Sequence, residues 1–255
     1  MMRKPALHEI IVAKQDRLAR RKAATPLDAM RALAGMQKRP QPILSTVTDD
    51  GHVMLLGQIR YGTASYDPVT LALHYANAGL DGLTLFTDNR IYDGGINDLA
   101  LITRAVSVPV LMQNYVFDEY QVVEARAAGA SSLTLVADLV DASTLRILVS
   151  ATQRNRMTAI VRVQNQAEMD VALEVCPPVI EVGKRDPDSG TLDVGHLEML
   201  RAEIPSTVRV LFYNRLRSLE EAKAVAALKP NAVLVGTHLL AEADAVPQLR
   251  EIFAT

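Results

Sequence analysis

One cysteine, Cys176, is all the 255-residue chain carries, so no internal disulfide framework can staple it. No apolar run approaches the ~20 residues needed to span a bilayer, and a membrane partner is not expected. The sequence starts MMRKPALHEII and then turns highly charged, without the apolar block and small-residue cleavage site of a secretory signal. The expected location is the cytoplasm. A charge excess of either sign is also missing: formal net charge is −2 and the sequence pI is about 6.2. Nucleic-acid binders usually show a basic excess over the domain or along one face, so no nucleic-acid partner is expected. The densest basic stretch, Lys14 to Lys22 with Arg17, Arg20 and Arg21, reads as one face of a helix. Leu7, Ile10, Ile11 and Leu18 form the opposite, docked stripe, which leaves the charges as a solvated face.

What the chain does have is apolar material, 49% of its residues, in a repeating arrangement. After helical segments at about Ala6 to Arg20 and Pro26 to Ala34 come eight short runs: Val53–Ile59, Leu83–Phe86, Val108–Met112, Leu133–Val136, Ala159–Val163, Val179–Val182, Val208–Phe212 and Ala232–Val235. They are rich in Val, Ile and Leu and too short for helices, as expected of parallel strands buried on both faces. Helix signals separate them. Asp67-Pro68 supplies an N-cap and first-turn proline, Asp118 or Glu119 opens a helix ended by Gly129, and Asp141 opens another. Ser218 with Glu221 three residues on reads as a capping box. Strand–helix alternation implies right-handed crossovers and a parallel sheet. Eight units without a dinucleotide glycine fingerprint favour a closed (β/α)₈ barrel, one domain over 1–255 with a helical extension over 1–45.

In such barrels reactive groups sit at the C-terminal ends of the strands. Of His8, His52, His74, His196 and His238, only His238 is expected there, so a histidine-rich metal site has no basis. Asp88 and Asp93 could hold Mg²⁺ but read as capping and turn residues. Gly94-Gly95 reads as a tight turn rather than a phosphate cradle, since no helix is expected immediately after it. Cys176, beside Pro177-Pro178, is expected to be a small buried side chain. No Ser-His-Asp spacing is present, and no cofactor or metal is implied.

Several blocks carry a resemblance: KQDRLARRKAATPL (Lys14–Leu27), DGLTLFTDNRIYDGGINDL (Asp81–Leu99), VPVLMQNYVFDEYQVVEARAAGA (Val108–Ala130), IEVGKRD from Ile180 and AVLVGTHLL from Ala232. In this order and spacing the chain resembles the indole-3-glycerol-phosphate synthase family over nearly its whole length. That family, a carbon–carbon lyase of tryptophan biosynthesis, closes an indole ring with loss of carbon dioxide and water. The resemblance implies a lysine general acid at the end of strand 3, a glutamate acid or base on strand 5, and Glu-Ile-Lys on strand 1.

The chain departs from each of these. Strand 1 reads Gln58-Ile59-Arg60, and strand 3 reads Met112-Gln113-Asn114-Tyr115. Arg162 stands at the strand-5 glutamate position, with Gln164 where the family usually has histidine. Strand 6 keeps Arg185 but has Gly183 for asparagine, the strand-7 Ser-Gly is Asn214-Arg215, and the loop after strand 1 is shortened. An amide is no proton donor near pH 7 and an arginine stays charged. Each lost acid–base group costs about 10² to 10⁴ in rate. Gly236-Thr237 matches the family's phosphate-binding Gly-Ser, with backbone N–H groups expected to be free for an anion. Arg60, Arg162, Arg185, Arg215 and Lys184 are thus aimed at one end of the barrel. They form either a structural network with Glu181, Asp186 and Asp88 or a site for an anionic small molecule, in which Gln113 and Tyr115 would also take part. On the second reading Arg60, Arg162 and Arg185 repel one another around one volume, and removing Arg162 stabilises the empty protein or leaves it unchanged. A diverged anion-binding barrel, a working synthase with substituted residues, and a non-catalytic structural or regulatory subunit all remain open, as does a protein partner.

Overall fold

The computed structural model describes residues 7–41, 43–44, 51–59, 67–87, 95–185, 189–242 and 244–254, the side chains of 7–10 and 13 excepted. Two helices, α1 (Leu7–Ala24) and α2 (Leu27–Met36), precede β1 (Met54–Ile59). Then follow α3 (Pro68–Asn77), β2 (Gly82–Phe86), α4 (Gly95–Ala105), β3 (Val110–Gln113), α5 (Glu119–Ala127), β4 (Ser132–Val136), α6 (Ala142–Arg154) and β5 (Thr158–Val163). The chain continues through α7 (Gln166–Val175), β6 (Val179–Val182), α8 (Val194–Glu203), β7 (Arg209–Leu216), α9 (Leu219–Ala226), β8 (Ala232–Val235) and α10 (Ala245–Phe253). The strands are parallel and close in sequence order, with Leu56 opposite Leu234 where β8 returns to β1.

The helices start where their caps dictate. Asp67, Asp118, Asp141 and Ser218 each accept from a backbone N–H of the first turn, as expected of N-cap residues. The Ser218 box closes on one side only. Glu221 N donates to Ser218 Oγ at 3.3 Å, while the Glu221 carboxylate accepts from Arg217 N and Arg185 instead. Gly129, at φ 89, ends the α5 region in a left-handed conformation that a Cβ would strain.

Side chains of alternate parity fill the barrel. Leu56, Leu111, Ile160, Val179, Leu211 and Leu234 pack together in its interior. Ile43, with no solvent exposure, joins this cluster from the segment before β1 and plugs the N-terminal opening. The N-terminal helices lie against α5. Leu18, Met30, Tyr120 and Val123 form their shared core, and the Tyr120 hydroxyl donates to Arg21 O and Thr25 O at 3.2 and 2.8 Å.

Four expectations need correction here. The basic face of α1 is not simply solvated: Arg21 pairs with Glu124 at 2.7 Å, Lys22 with Asp118 at 2.6 Å, and Lys14 bonds Asn114. Of the stripe's described side chains, Leu18 is buried and Ile11 is half-buried. A helix does begin at Gly95, because Ile96, Leu99 and Ile102 recur at helical spacing, the last two fully buried. A Cβ at Gly95 would lie 2.7 Å from the Thr87 carbonyl oxygen, which explains the glycine. Cys176 is exposed, held at φ 54 as the left-handed C-cap of α7. Strand β7 runs on to Leu216, because a register shift between Phe212 and Leu216 brings Leu216 opposite Val235.

Candidate functional site

At the C-terminal end of the barrel interior, five strands contribute side chains to one hydrogen-bonded chain. Inward parity on β1, β3, β5, β6 and β7 presents Gln58, Gln113, Arg162, Glu181 and Arg215. The direction of each amide follows from the ends of the chain. Arg215 can only donate, so Gln58 turns Oε1 toward its Nη1 at 3.1 Å. Gln58 Nε2 then donates to Gln113 Oε1 at 3.2 Å, and Gln113 Nε2 to Glu181 Oε1 at 3.1 Å. Glu181 can only accept, which ends the chain.

Glu181 has no solvent exposure. Its carboxylate also accepts from Arg162 Nη2 at 2.8 Å and from Thr134 Oγ1 at 2.9 Å. Burial by itself would lower the Arg162 pKa, but the adjoining Glu181 carboxylate outweighs it and holds the guanidinium above its ordinary range. The Arg162 guanidinium stacks on the Tyr213 ring, 4.4 Å from its centroid, and its Nε is buried without a hydrogen-bond partner. Burial pushes the Tyr213 phenol up to about 12, so it stays neutral. Beside this cluster, Asn114 donates to Thr87 Oγ1 at 2.7 Å, and half-buried Tyr115 meets Phe86 edge-to-face at 6.1 Å.

Gln58, Gln113, Arg162 and Arg215 are therefore brought together, with Tyr115 at the rim. Arg185 is not part of the cluster. It grips both oxygens of Glu221 at 2.6 and 2.7 Å and also bonds Gly190 O and Arg215 O. The expectation that Arg162 and Arg185 stand as mutually repelling cations is overturned, because each has its own carboxylate. Asn214 points away from the cluster and donates to Lys184 O, and Lys184 faces Asp193 at 4.0 Å. The N–H of Gly236 is not free for an anion. It donates to Leu216 O at 3.0 Å, and only a three-residue 3₁₀ turn, Leu239–Ala241, follows. Thr237 is exposed. His238 is not alone at this end, since His196 in the first turn of α8 bonds Gln164 O at 2.7 Å. Arg60, Asp88, Asp93, Gly94 and Asp186 lie outside the described residues. Thr134 and Tyr213 were missed from sequence. Both are inward by strand parity, which was the available signal. Among the described residues no group of three or more His, Cys, Asp and Glu could hold a metal ion.

Eight parallel strands with charged groups gathered at their C-terminal ends define a (β/α)₈ barrel of the kind that carries its site in the barrel mouth. The family model for indole-3-glycerol phosphate synthase matches residues 7–252, and the chain belongs to that family. It is 28% identical to an indole-3-glycerol phosphate synthase of Roseiflexus sp. (strain RS-1), covering 96% of this chain and 97% of that protein. The synthase of Mycolicibacterium smegmatis is 29% identical, over 93% of this chain and 90% of its own length. Among solved structures, 3-hexulose-6-phosphate synthase from Salmonella typhimurium matches with a TM-score of 0.64 at 18% identity, covering 79% of this chain and 97% of that one. The tryptophan synthase alpha subunit from Legionella pneumophila matches at 0.58 and 17% identity, over 82% and 96%. These two share the fold.

Proposed function

We propose that the barrel mouth binds an anionic, phosphorylated small metabolite and does not carry out the family's ring closure. One observation carries the anion: among the described residues, the half-buried Arg215 guanidinium meets only the neutral amide of Gln58 and no carboxylate. Arg162 and Glu181 cancel, so the described cluster keeps one positive charge facing the mouth. An anion there would be held by charge-assisted hydrogen bonds of the kind arginine forks make with phosphate.

Ring closure needs a proton donor and a partner acid or base, and the matching positions hold Gln113 and Arg162. Both side chains donate to Glu181. Among the described residues Glu181 is the carboxylate in this cluster, yet it is fully buried and already accepts three hydrogen bonds, so it does not reach a substrate as a general base. Family membership supports the second reading, a working synthase with substituted groups. Two measurements separate them. The gene should fail to rescue an auxotroph lacking indole-3-glycerol phosphate synthase, and the purified protein should show no synthase turnover above background. Turnover within about tenfold of an ordinary family member would establish the second reading. For the ligand, millimolar inorganic phosphate should raise the melting temperature of the wild type by more than that of Arg215→Gln.

A further inference from the structure

The end of the barrel opposite the mouth holds a second basic site. Arg39 before β1, Arg156 in the turn between α6 and β5, and Arg209 at the start of β7 line one cavity of about 510 Å³. Thr158 and Thr207 add hydroxyl-bearing side chains to its wall, and among the described residues no acidic one lines it. Among the described residues none of the three arginines has an ion-pair partner. Six other arginines, Arg21, Arg146, Arg154, Arg162, Arg185 and Arg250, each meet a carboxylate.

Two further features fix this arrangement. Arg126 is buried and donates to the carbonyls of Gln37 and Lys38, which anchors the segment that presents Arg39. Burial, and then the charge of Arg156, lowers the Arg126 pKa, so the positive field at this end is felt by a fourth guanidinium. Arg156 sits at φ 61, a conformation that glycine adopts freely, yet the position carries an arginine side chain aimed at the cavity wall. Leu44 and Met157 supply an apolar portion of the lining.

We infer that this cavity binds a small molecule bearing two or more phosphate groups, with an apolar part against Leu44 and Met157. Three guanidinium forks match separate phosphates, and uncompensated cations around one concavity are relieved by such a ligand. The concave shape and the chain's slight negative net charge favour a small molecule over a nucleic-acid strand.

The test is calorimetric titration with inorganic tripolyphosphate on the full chain. Wild type should bind it, and Arg156→Gly should weaken binding by about tenfold or more. The same variant should keep or raise the urea midpoint, since glycine removes the positive-φ strain, so lost binding is not lost folding. Arg39→Gln and Arg209→Gln should weaken binding too, whereas Arg215→Gln at the mouth should leave this site intact. The inference is overturned if wild type fails to bind, if Arg156→Gly binds like wild type, or if Arg215→Gln abolishes binding. A short single-stranded RNA that outcompetes tripolyphosphate and loses affinity in Arg156→Gly would also overturn it, in favour of a polymer.

Discussion

Without Arg162, Glu181 is a carboxylate with no solvent exposure, left with only the neutral donors Gln113 and Thr134. Removing one partner of a buried pair typically costs about 3–5 kcal/mol, because the other charge remains desolvated. Arg162→Ala should therefore lower stability by roughly that amount in urea denaturation, and Arg162→Met with Glu181→Gln should recover most of it. A loss below ~1 kcal/mol in the single variant would show that water reaches Glu181. The same pair constrains any attempt to restore synthase chemistry. Gln113→Lys with Arg162→Glu sets one cation between two carboxylates, whereas adding Glu181→Gln returns the cluster to its wild-type net charge. The triple variant should show the higher urea midpoint, and any regained turnover should appear there first. A double variant as stable as the triple would count against charge balance as the controlling factor.

Arg185 ties the loop after β6 both to α9 and to the end of β7. Burial works to raise the Glu221 pKa, but the Arg185 hydrogen bonds, the Arg217 amide and the two nearby charges outweigh it and hold it below the ordinary carboxylate value. A depressed folded-state pKa contributes stability that is present above the unfolded value and lost as pH falls through the folded one. Glu221→Gln should cost about 1–3 kcal/mol at neutral pH and should flatten the acid side of the stability curve. Equal losses at pH 7 and pH 3 would argue against this pair as the source. Elements were legible in the sequence wherever local chemistry decides them: the eight apolar runs, and the caps at Asp67, Asp118, Asp141 and Ser218. Misreadings fall where tertiary context decides. The polar residues Asn214 and Arg215 hid the continuation of β7, although they sit on a strand whose polar end faces the mouth. Gly94-Gly95 looked like a turn, yet helix α4 starts at Gly95 because the Thr87 carbonyl leaves no room for a side chain there. Cys176 looked like core because cysteine usually is, but it caps α7 in a left-handed conformation.

Across the whole molecule the barrel interior is graded, from an apolar plug at the N-terminal end to a charged network at the mouth. The family resemblance made that gradient legible as far as placing Gln58, Gln113, Arg162 and Arg215 at one end of the barrel. Pairing was not legible, because it depends on distances between strands far apart in sequence. Glu181 could be listed as an acid near the arginines, but its 2.8 Å contact with Arg162 and the claim of Glu221 on Arg185 follow from the closed barrel alone. The plug is equally remote from sequence logic, since Ile43 belongs to none of the eight units yet packs with Leu56, Leu111, Ile160 and Leu234. A barrel open at its base would admit water to that layer. Ile43→Ala removes the side chain where strands from all sides converge and neighbours can collapse little, so it should cost about 2–5 kcal/mol in urea denaturation. The denaturant slope should stay unchanged, because the surface exposed on unfolding is nearly the same. Phosphate affinity at the mouth should also hold, since the network from Arg215 to Glu181 does not touch the plug. A cost below ~1 kcal/mol would mean that the segment before β1 merely covers the opening, and the interior would then owe its packing to the strands alone.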